Sequence, residues 1–208
     1  MERYLMTQSL LSSWAYMFNA PEGFEEEAKS DFLGTLNREP HEPTPAMQNG
    51  INFENLCYGI ATGTYQPTDG KLPYNFAGAS KVAQILRGAQ IQVRAMRDIN
   101  VFGMDLLLYG ILDGLKAGVI YDVKYLNKSM NSAELAGKYL ESAQHPAYFR
   151  LIPDAYEFQY LVSDGTDLYI EKYSRKDTPP IESIIEPFFQ WLDGERLMDV
   201  YKEKWLSK

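Results

Sequence analysis

The chain has 208 residues, of which 45% are hydrophobic and 23% are charged. These proportions exclude a largely disordered or fibrous protein, and the length suits a single domain with a substantial hydrophobic core, here taken as residues 1–208. The formal net charge of −8 argues against a protein that coats nucleic acid through a generally basic surface. A mildly basic middle between acidic flanks still allows a phosphate-bearing substrate, because binding depends on the local field.

Cysteine content and hydropathy predict the cellular environment of the protein. Cys57 is the single cysteine of the sequence, which excludes an internal disulfide and a metal site built from cysteines. The N-terminal segment lacks the basic start and continuous apolar run of a signal peptide, and no stretch approaches the roughly 18 apolar residues of a membrane span. We therefore expect a reducing, cytoplasmic setting and no membrane partner.

Helical periodicity dominates the first half of the chain. It predicts helices over residues 7–18, 46–61 and 80–96. In the first of these, Leu10, Trp14 and Met17 share one face and Thr7 is a suitable N-cap, whereas the third has an apolar stripe that includes Val82 and Val93. Proline and glycine predict loops between the helices, over residues 40–45 and 66–73.

The second half of the chain has the pattern of two β-hairpins. The first joins dense apolar runs at residues 105–112 and 119–126 through a glycine-containing turn at 114–118. The second joins residues 157–163 and 168–173 at Asp164–Gly165. Further helices are predicted over residues 132–142, with Ser132 as the cap, and 181–205. This order predicts an α/β (α+β) fold with a central mixed β-sheet flanked by helices.

The first hairpin carries a group of charges in apolar surroundings. Asp113 is predicted to end its first strand, and Asp122 and Lys124 lie two residues apart in the second. Because strand side chains alternate, Asp122 and Lys124 point to the same face. A surface ion pair with Asp113 in a turn would explain this pattern. A buried group of charges would instead need a partner that offsets the cost of desolvation.

These residues resemble the PD-(D/E)XK nuclease superfamily, in particular its RecB-like and phage exonuclease-like branch. In that family an Asp ends one strand and a (D/E)-x-K triplet lies on the next, which corresponds to Asp113 and to residues 122–124. The branch adds a Gln-x-x-x-Tyr motif, matched by Gln144 and Tyr148, and an acidic residue on an early helix, matched by Glu54 after Gly50. The resemblance covers residues 50–148 and implies a restriction-endonuclease-like core.

The resemblance implies catalysis by Asp113, Asp122 and Lys124. It implies a Mg²⁺ site, or Mn²⁺, formed by Glu54, Asp113, Asp122 and the Val123 carbonyl. Hard oxygen ligands of this kind favour such cations. Gln144 and Tyr148 would contact the substrate strand, and we add Lys116 and Lys128 as candidate phosphate contacts. With a single cysteine, the four-cysteine iron–sulfur cluster of some RecB-like nucleases is excluded.

The implied function is a DNA exonuclease of the phage or prophage recombination type. Two alternatives stay open at this point: a catalytically inactive member of the same fold that binds protein or nucleic acid, and an unrelated α+β binding protein. The sequence leaves undecided the choice between exonuclease and endonuclease and between DNA and RNA. It also leaves undecided the strand polarity, the number of metal ions, the oligomeric state and the pathway.

Overall fold

A computed structural model describes residues 2–67 and 70–207. The strands are β1 (Arg3–Thr7), β2 (Gln90–Val101), β3 (Met104–Lys116), β4 (Val119–Tyr125), β5 (Glu157–Ser163) and β6 (Leu168–Ser174). The helices are α1 (Gln8–Phe18), α2 (Glu25–Leu36), α3 (Pro45–Thr62), α4 (Phe76–Leu86), α5 (Ser132–Leu135), α6 (Gln144–Leu151), α7 (Glu182–Gly194) and α8 (Met198–Lys204). Within these residues, no helix is both long and apolar enough to cross a membrane.

The six strands form one mixed sheet, which confirms the predicted fold class. Strand β2 runs antiparallel along one edge of the long strand β3. The opposite edge of β3 is shared: β1 pairs with its first half in parallel, and β4 pairs with its last three residues in antiparallel register. Strands β5 and β6 continue the sheet beyond β4, with β5 parallel to β4.

Helices cover both faces of this sheet. The larger core lies on the face that packs against α1, α6 and α7, and it includes Leu108, Leu112, Tyr148 and Phe188. The smaller core lies between α3, α4 and the other face of β4 and β5, and it includes Phe53. Strand β4 therefore has one face toward α6 and the other toward α3.

Several predicted elements are confirmed. Helix α1 begins after Thr7, whose hydroxyl accepts a hydrogen bond from the Leu10 amide at 3.3 Å. Helix α3 and the hairpin β5–β6 lie within a residue of their predicted bounds, and Gly165 takes the positive φ of 93° that the second hairpin needs. The loop prediction at residues 66–73 includes positions 68 and 69, which lie outside the described residues.

The single helix predicted over residues 80–96 is wrong. Helix α4 ends at Leu86, and strand β2 begins at Gln90. Gly88, with a φ of 79°, turns the chain between them. Beyond it the exposure alternates residue by residue, as in a half-buried strand, so Val93 belongs to a strand and not to a helical stripe.

Other boundaries also differ from prediction. Strand β3 continues through Asp113 to Lys116, and the turn is reduced to Ala117–Gly118, both with positive φ, as a two-residue hairpin requires. The helix predicted over residues 132–142 is limited to α5, and its cap is Asn131, whose side chain accepts from the Ala133 amide. The region over residues 181–205 is two helices, and β1 and α2 were not predicted.

Candidate active site

The candidate site lies where strands β3 and β4 separate. Along the shared edge of β3, the pairing with β1 ends at Tyr109 and that with β4 begins at Gly114. Between them, residues 110–113 have no partner among the described strands on this edge, and two side-chain hydrogen bonds are formed there instead. The Tyr148 hydroxyl of α6 donates to the carbonyl of Ile111 at 2.8 Å, and the Val123 amide of β4 donates to Oδ2 of Asp113 at 2.7 Å. A carboxylate thus replaces a backbone carbonyl as the partner of β4.

The alternation of faces along β3 is interrupted at Asp113. Leu112 packs in the core on the α6 side, yet a side chain added at Gly114, two residues on, would meet Leu86 of α4. The pairing of β2 with β3 skips Gln92 and Asp113, between the pairs Ile91–Gly114 and Val93–Leu112, and Gln92 has a left-handed φ of 51°. Asp113 therefore lies where the side chains of β3 change from the α6 face of the sheet to the α4 face.

Asp122 is the buried centre of the site. Its side chain is 4% exposed, and its Oδ2 lies 2.8 Å from Nζ of Lys124 on the same strand. Its Oδ1 accepts a hydrogen bond from the side-chain amide of Gln144, the first residue of α6. The pair is therefore not the surface ion pair of the alternative interpretation. The Lys124 side chain is 35% exposed, so the desolvation cost of the pair falls mainly on the buried Asp122 carboxylate.

Glu54 reaches this region from helix α3, where it is half-buried. Its pKa is raised above the usual range by burial and by the negative charge of Asp122, while the ammonium of Lys124 acts in the opposite direction. The interaction places a third carboxylate within electrostatic range of the two aspartates, although Glu54 comes from the opposite side of the sheet to α6.

Carboxylate crowding dominates the electrostatics of the site. Burial, then the charges of Asp122 and Glu54, raise the pKa of Asp113 to about 8. Burial also raises the pKa of Asp122, against the opposing effect of Lys124. For Lys124, burial disfavours the ammonium, but the adjacent carboxylates outweigh it and raise the pKa, so the side chain stays charged. Three acidic groups thus share one cation, a charge arrangement that a bound metal ion would relieve.

The donor set fits Mg²⁺ in part. Within the described residues, no three His, Cys, Asp or Glu side chains form a ready-made metal cage. Mg²⁺ does not need one, because it keeps several water ligands and is commonly held by one or two carboxylates together with substrate phosphate. Asp113 and Asp122 would supply the carboxylates, and the Val123 carbonyl and Glu54 would be further oxygen ligands.

The four predicted substrate-binding residues have different contacts in the structure. Gln144 contacts the site directly through Asp122, whereas the Tyr148 hydroxyl is engaged with the β3 backbone. Lys116 ends strand β3 instead of lying in the turn, and its ammonium donates to the carbonyls of Ile85 and Arg87 and so caps the end of α4. Lys128 is 73% exposed beyond β4 and pairs with Glu134.

Two tyrosines adjoin the site without having been predicted. Tyr160 of β5 lies opposite Asp122 in the parallel register, and its ring stacks on Tyr139 at 4.2 Å between centroids. Burial raises the pKa of the Tyr139 hydroxyl to about 12, while the charge of Lys124 acts to lower it and that of Asp122 to raise it. The sequence offers no local signal for either residue, since both depend on the pairing of β4 with β5.

Neither family models nor curated protein sequences match this chain. Among solved structures, it is similar to the crystal structure of SSO0001, with 14% sequence identity and a TM-score of 0.51 over 95% of this chain and 77% of that one. This likeness shows the fold alone. The crystal structure of Scheffersomyces stipitis Rai1 gives 13% identity and a TM-score of 0.38 over 93% of this chain and 62% of that one.

The raised pKa of Asp113 predicts how stability depends on pH without metal. The folded protein holds this proton up to about pH 8, whereas the unfolded chain releases it near pH 4. Stability should therefore fall as pH rises from about 6.5 to 8. This window lies above the range in which buried His145 contributes, because burial lowers the pKa of its imidazole from about 6.5 in the unfolded chain to about 4 in the folded protein. Asp113→Asn should be more stable at pH 8 and have a flatter profile.

Thermal unfolding in chelator, measured at several pH values for both proteins, checks this expectation. Asparagine keeps an oxygen that can accept from the Val123 amide, so the two proteins differ mainly in charge. Parallel melting curves across the window would mean that Asp113 is not held in a crowded acidic environment.

Proposed function

We propose that the chain is a magnesium-dependent nuclease of the PD-(D/E)XK type that hydrolyses phosphodiester bonds in DNA. The observation that carries the proposal is the meeting of Asp113, Asp122 and Lys124 at the point where β3 and β4 separate. There the Asp113 carboxylate bonds to the β4 backbone, and Asp122 is held between Lys124 and Gln144. A cluster of carboxyl groups whose pKa values are raised by burial and by one another is the arrangement expected of a cation site.

The residues of the site have separable roles in this proposal. Asp113 and Asp122 hold the cation, and Gln144 positions Asp122 through the hydrogen bond to its Oδ1. Mg²⁺, when bound, supplies Lewis acidity at the phosphate and makes a water molecule more acidic. Lys124 remains protonated because of its raised pKa, so its ammonium stabilises the negative charge that develops on the phosphate during attack.

The first test is cation-dependent cleavage. Purified protein is incubated with DNA in chelator, Mg²⁺, Mn²⁺ or Ca²⁺, and products are resolved by electrophoresis. Cleavage should require Mg²⁺ or Mn²⁺ and should be absent in chelator and in Asp113→Asn. Equal cleavage by this variant would remove Asp113 from the catalytic residues.

The finer proposal is digestion from DNA ends, as in phage or prophage recombination enzymes of a cytoplasmic setting. It is supported by the resemblance of residues 50–148 to the RecB-like and phage exonuclease-like branch. Linear duplex should be degraded progressively, whereas covalently closed circular DNA of the same sequence should survive. Linearisation of the circle at a rate similar to that of end digestion would instead assign an endonuclease.

A catalytically inactive member of the fold is the second candidate. The net charge of −8 and the direct ion pair between Lys124 and Asp122 favour it, because that pair partly satisfies the acidic centre without metal. Calorimetric titration with Mg²⁺ and Mn²⁺ separates the two candidates. Metal binding that depends on Asp122, together with cleavage, supports the nuclease, and the failure of both supports the binding module.

A further inference from the structure

Two adjoining cavities form a groove at the end of β4. Their volumes are about 570 and 460 Å³, and Asn49 and Tyr74 line both of them. We call this surface the tyrosine–asparagine groove. Its lining includes Asn49, Asn52, Asn55, Tyr65, Tyr74 and Tyr125. Uncharged hydrogen-bonding groups and aromatic rings therefore predominate.

Tyr74 is the most accessible ring of the groove. It is 80% exposed, yet its hydroxyl lies 3.2 Å from that of Tyr125. Tyr125 is in turn fixed by stacking on the buried ring of Phe53, with 4.7 Å between centroids. The groove thus presents an open aromatic face attached to a fixed support. Such a face suits stacking with a nucleobase, which is tolerant of sequence because every base has a π-face.

The polar groups of the groove match base edges better than a row of phosphates. Asn49 of α3 donates to Asn127, beyond β4, at 3.0 Å, which connects the two walls. Carboxamides both donate and accept hydrogen bonds, as base edges do. Among the described residues, the acidic member of the lining is Asp164, which already accepts from three backbone amides. The basic member is Lys128, which pairs with Glu134 at 3.1 Å.

The groove is continuous with the candidate active site along the chain. Tyr125 directly follows Lys124 on β4, and Glu54 of α3 lies between Phe53 and Asn55. Because side chains alternate along a strand, Tyr125 faces α3 whereas Asp122 and Lys124 face α6, so a single strand would pass from the groove to the site around the end of β4. Strand β4 and helix α3 contribute residues to both surfaces, which fixes their relative position.

We propose that the tyrosine–asparagine groove binds single-stranded nucleic acid, with at least one base stacked on Tyr74, and so guides a single-stranded end toward Asp122 and Lys124. The guiding role rests on the proposed nuclease function. Binding itself does not, because it needs neither metal nor cleavage.

The test measures binding in chelator by fluorescence anisotropy. The probe is labelled oligothymidylate of roughly 12 nucleotides, within the usual site sizes for single strands. Tyr74→Ala should weaken binding about tenfold, from the loss of one stacked base. Tyr74→Phe should bind like the wild type, because it retains the ring. Tyr16→Ala removes a tyrosine that is 51% exposed on α1 and should have no effect.

Further probes give the class of ligand. An abasic strand of equal length, which keeps the phosphates, and a blunt duplex should both bind the wild type weakly. Three outcomes would each overturn the proposal. The first is an unchanged affinity of Tyr74→Ala for oligothymidylate. The second is binding of the abasic strand to the wild type as tight as that of oligothymidylate, and the third is a loss of duplex affinity in Tyr74→Ala as large as its loss of oligothymidylate affinity. Tyr74-dependent binding without Mg²⁺-dependent cleavage would leave the groove in place and reject the nuclease. Mg²⁺-dependent cleavage without Tyr74-dependent binding would support the nuclease and reject the groove as a binding site.

Discussion

Replacing Asp122 by asparagine should reduce Mg²⁺-dependent DNA cleavage by a factor on the order of 10³, the scale expected when a preorganised electrostatic group is lost. The substitution removes the charge that holds the cation but keeps the shape of the side chain and an oxygen for the hydrogen bond from Gln144. The fold should be retained. Initial rates under saturating DNA, with circular dichroism melting on the same samples, measure both effects.

Asparagine is preferable to alanine at this position. Alanine would leave the buried amide of Gln144 without its partner, at a cost of about 1–3 kcal/mol, and would confuse loss of stability with loss of activity. Asp167→Asn is a matched control, because Asp167 is exposed and pairs with Lys81 at 2.8 Å far along the chain from the site. A rate for Asp122→Asn within a few-fold of this control would contradict the assignment of Asp122.

Replacing Lys124 by methionine should lower turnover by about 10²–10³-fold while Mg²⁺ affinity is unchanged or increased. Methionine keeps most of the length of the side chain but removes the ammonium that lies 2.8 Å from Asp122. Loss of that positive charge leaves more negative potential for the cation, so metal binding should not suffer. Turnover and calorimetric Mg²⁺ affinity, measured on the same preparation, separate the two quantities.

Lys81→Met supplies the control for this variant, since Lys81 is exposed and its ion pair is on the surface. A parallel fall in turnover and in metal affinity for Lys124→Met would indicate that Lys124 only holds Asp122 in place. Normal turnover would exclude Lys124 from catalysis altogether.

The parts of the fold that follow from the sequence are those with local signals. Helix α1 has its capping residue, and the hairpin β5–β6 has its Asp164–Gly165 turn. Strand β1 has no such signal, because it is defined by pairing with β3 about a hundred residues away. The sequence predicts helix in the region of β2 because Val93 continues the apolar stripe of α4, whereas the positive φ of Gly88 ends the helix and starts a strand.

The same division applies to the candidate site. The common face of Asp122 and Lys124 follows from strand alternation alone, and their ion pair has that geometry. The contact of Gln144 with Asp122 depends on the docking of α6, for which the sequence provides only the motif. The capping of α4 by Lys116 depends on the position of a helix that was itself given the wrong length.

The most direct measurement is the position of Mn²⁺ in crystals of the protein. Crystals soaked in millimolar Mn²⁺, with data collected near the manganese absorption edge, show the ion by its anomalous scattering. The account predicts a peak between the carboxylates of Asp113 and Asp122, near the Val123 carbonyl, that disappears in Asp122→Asn. A fully soaked crystal with no peak there would contradict the metal-dependent nuclease.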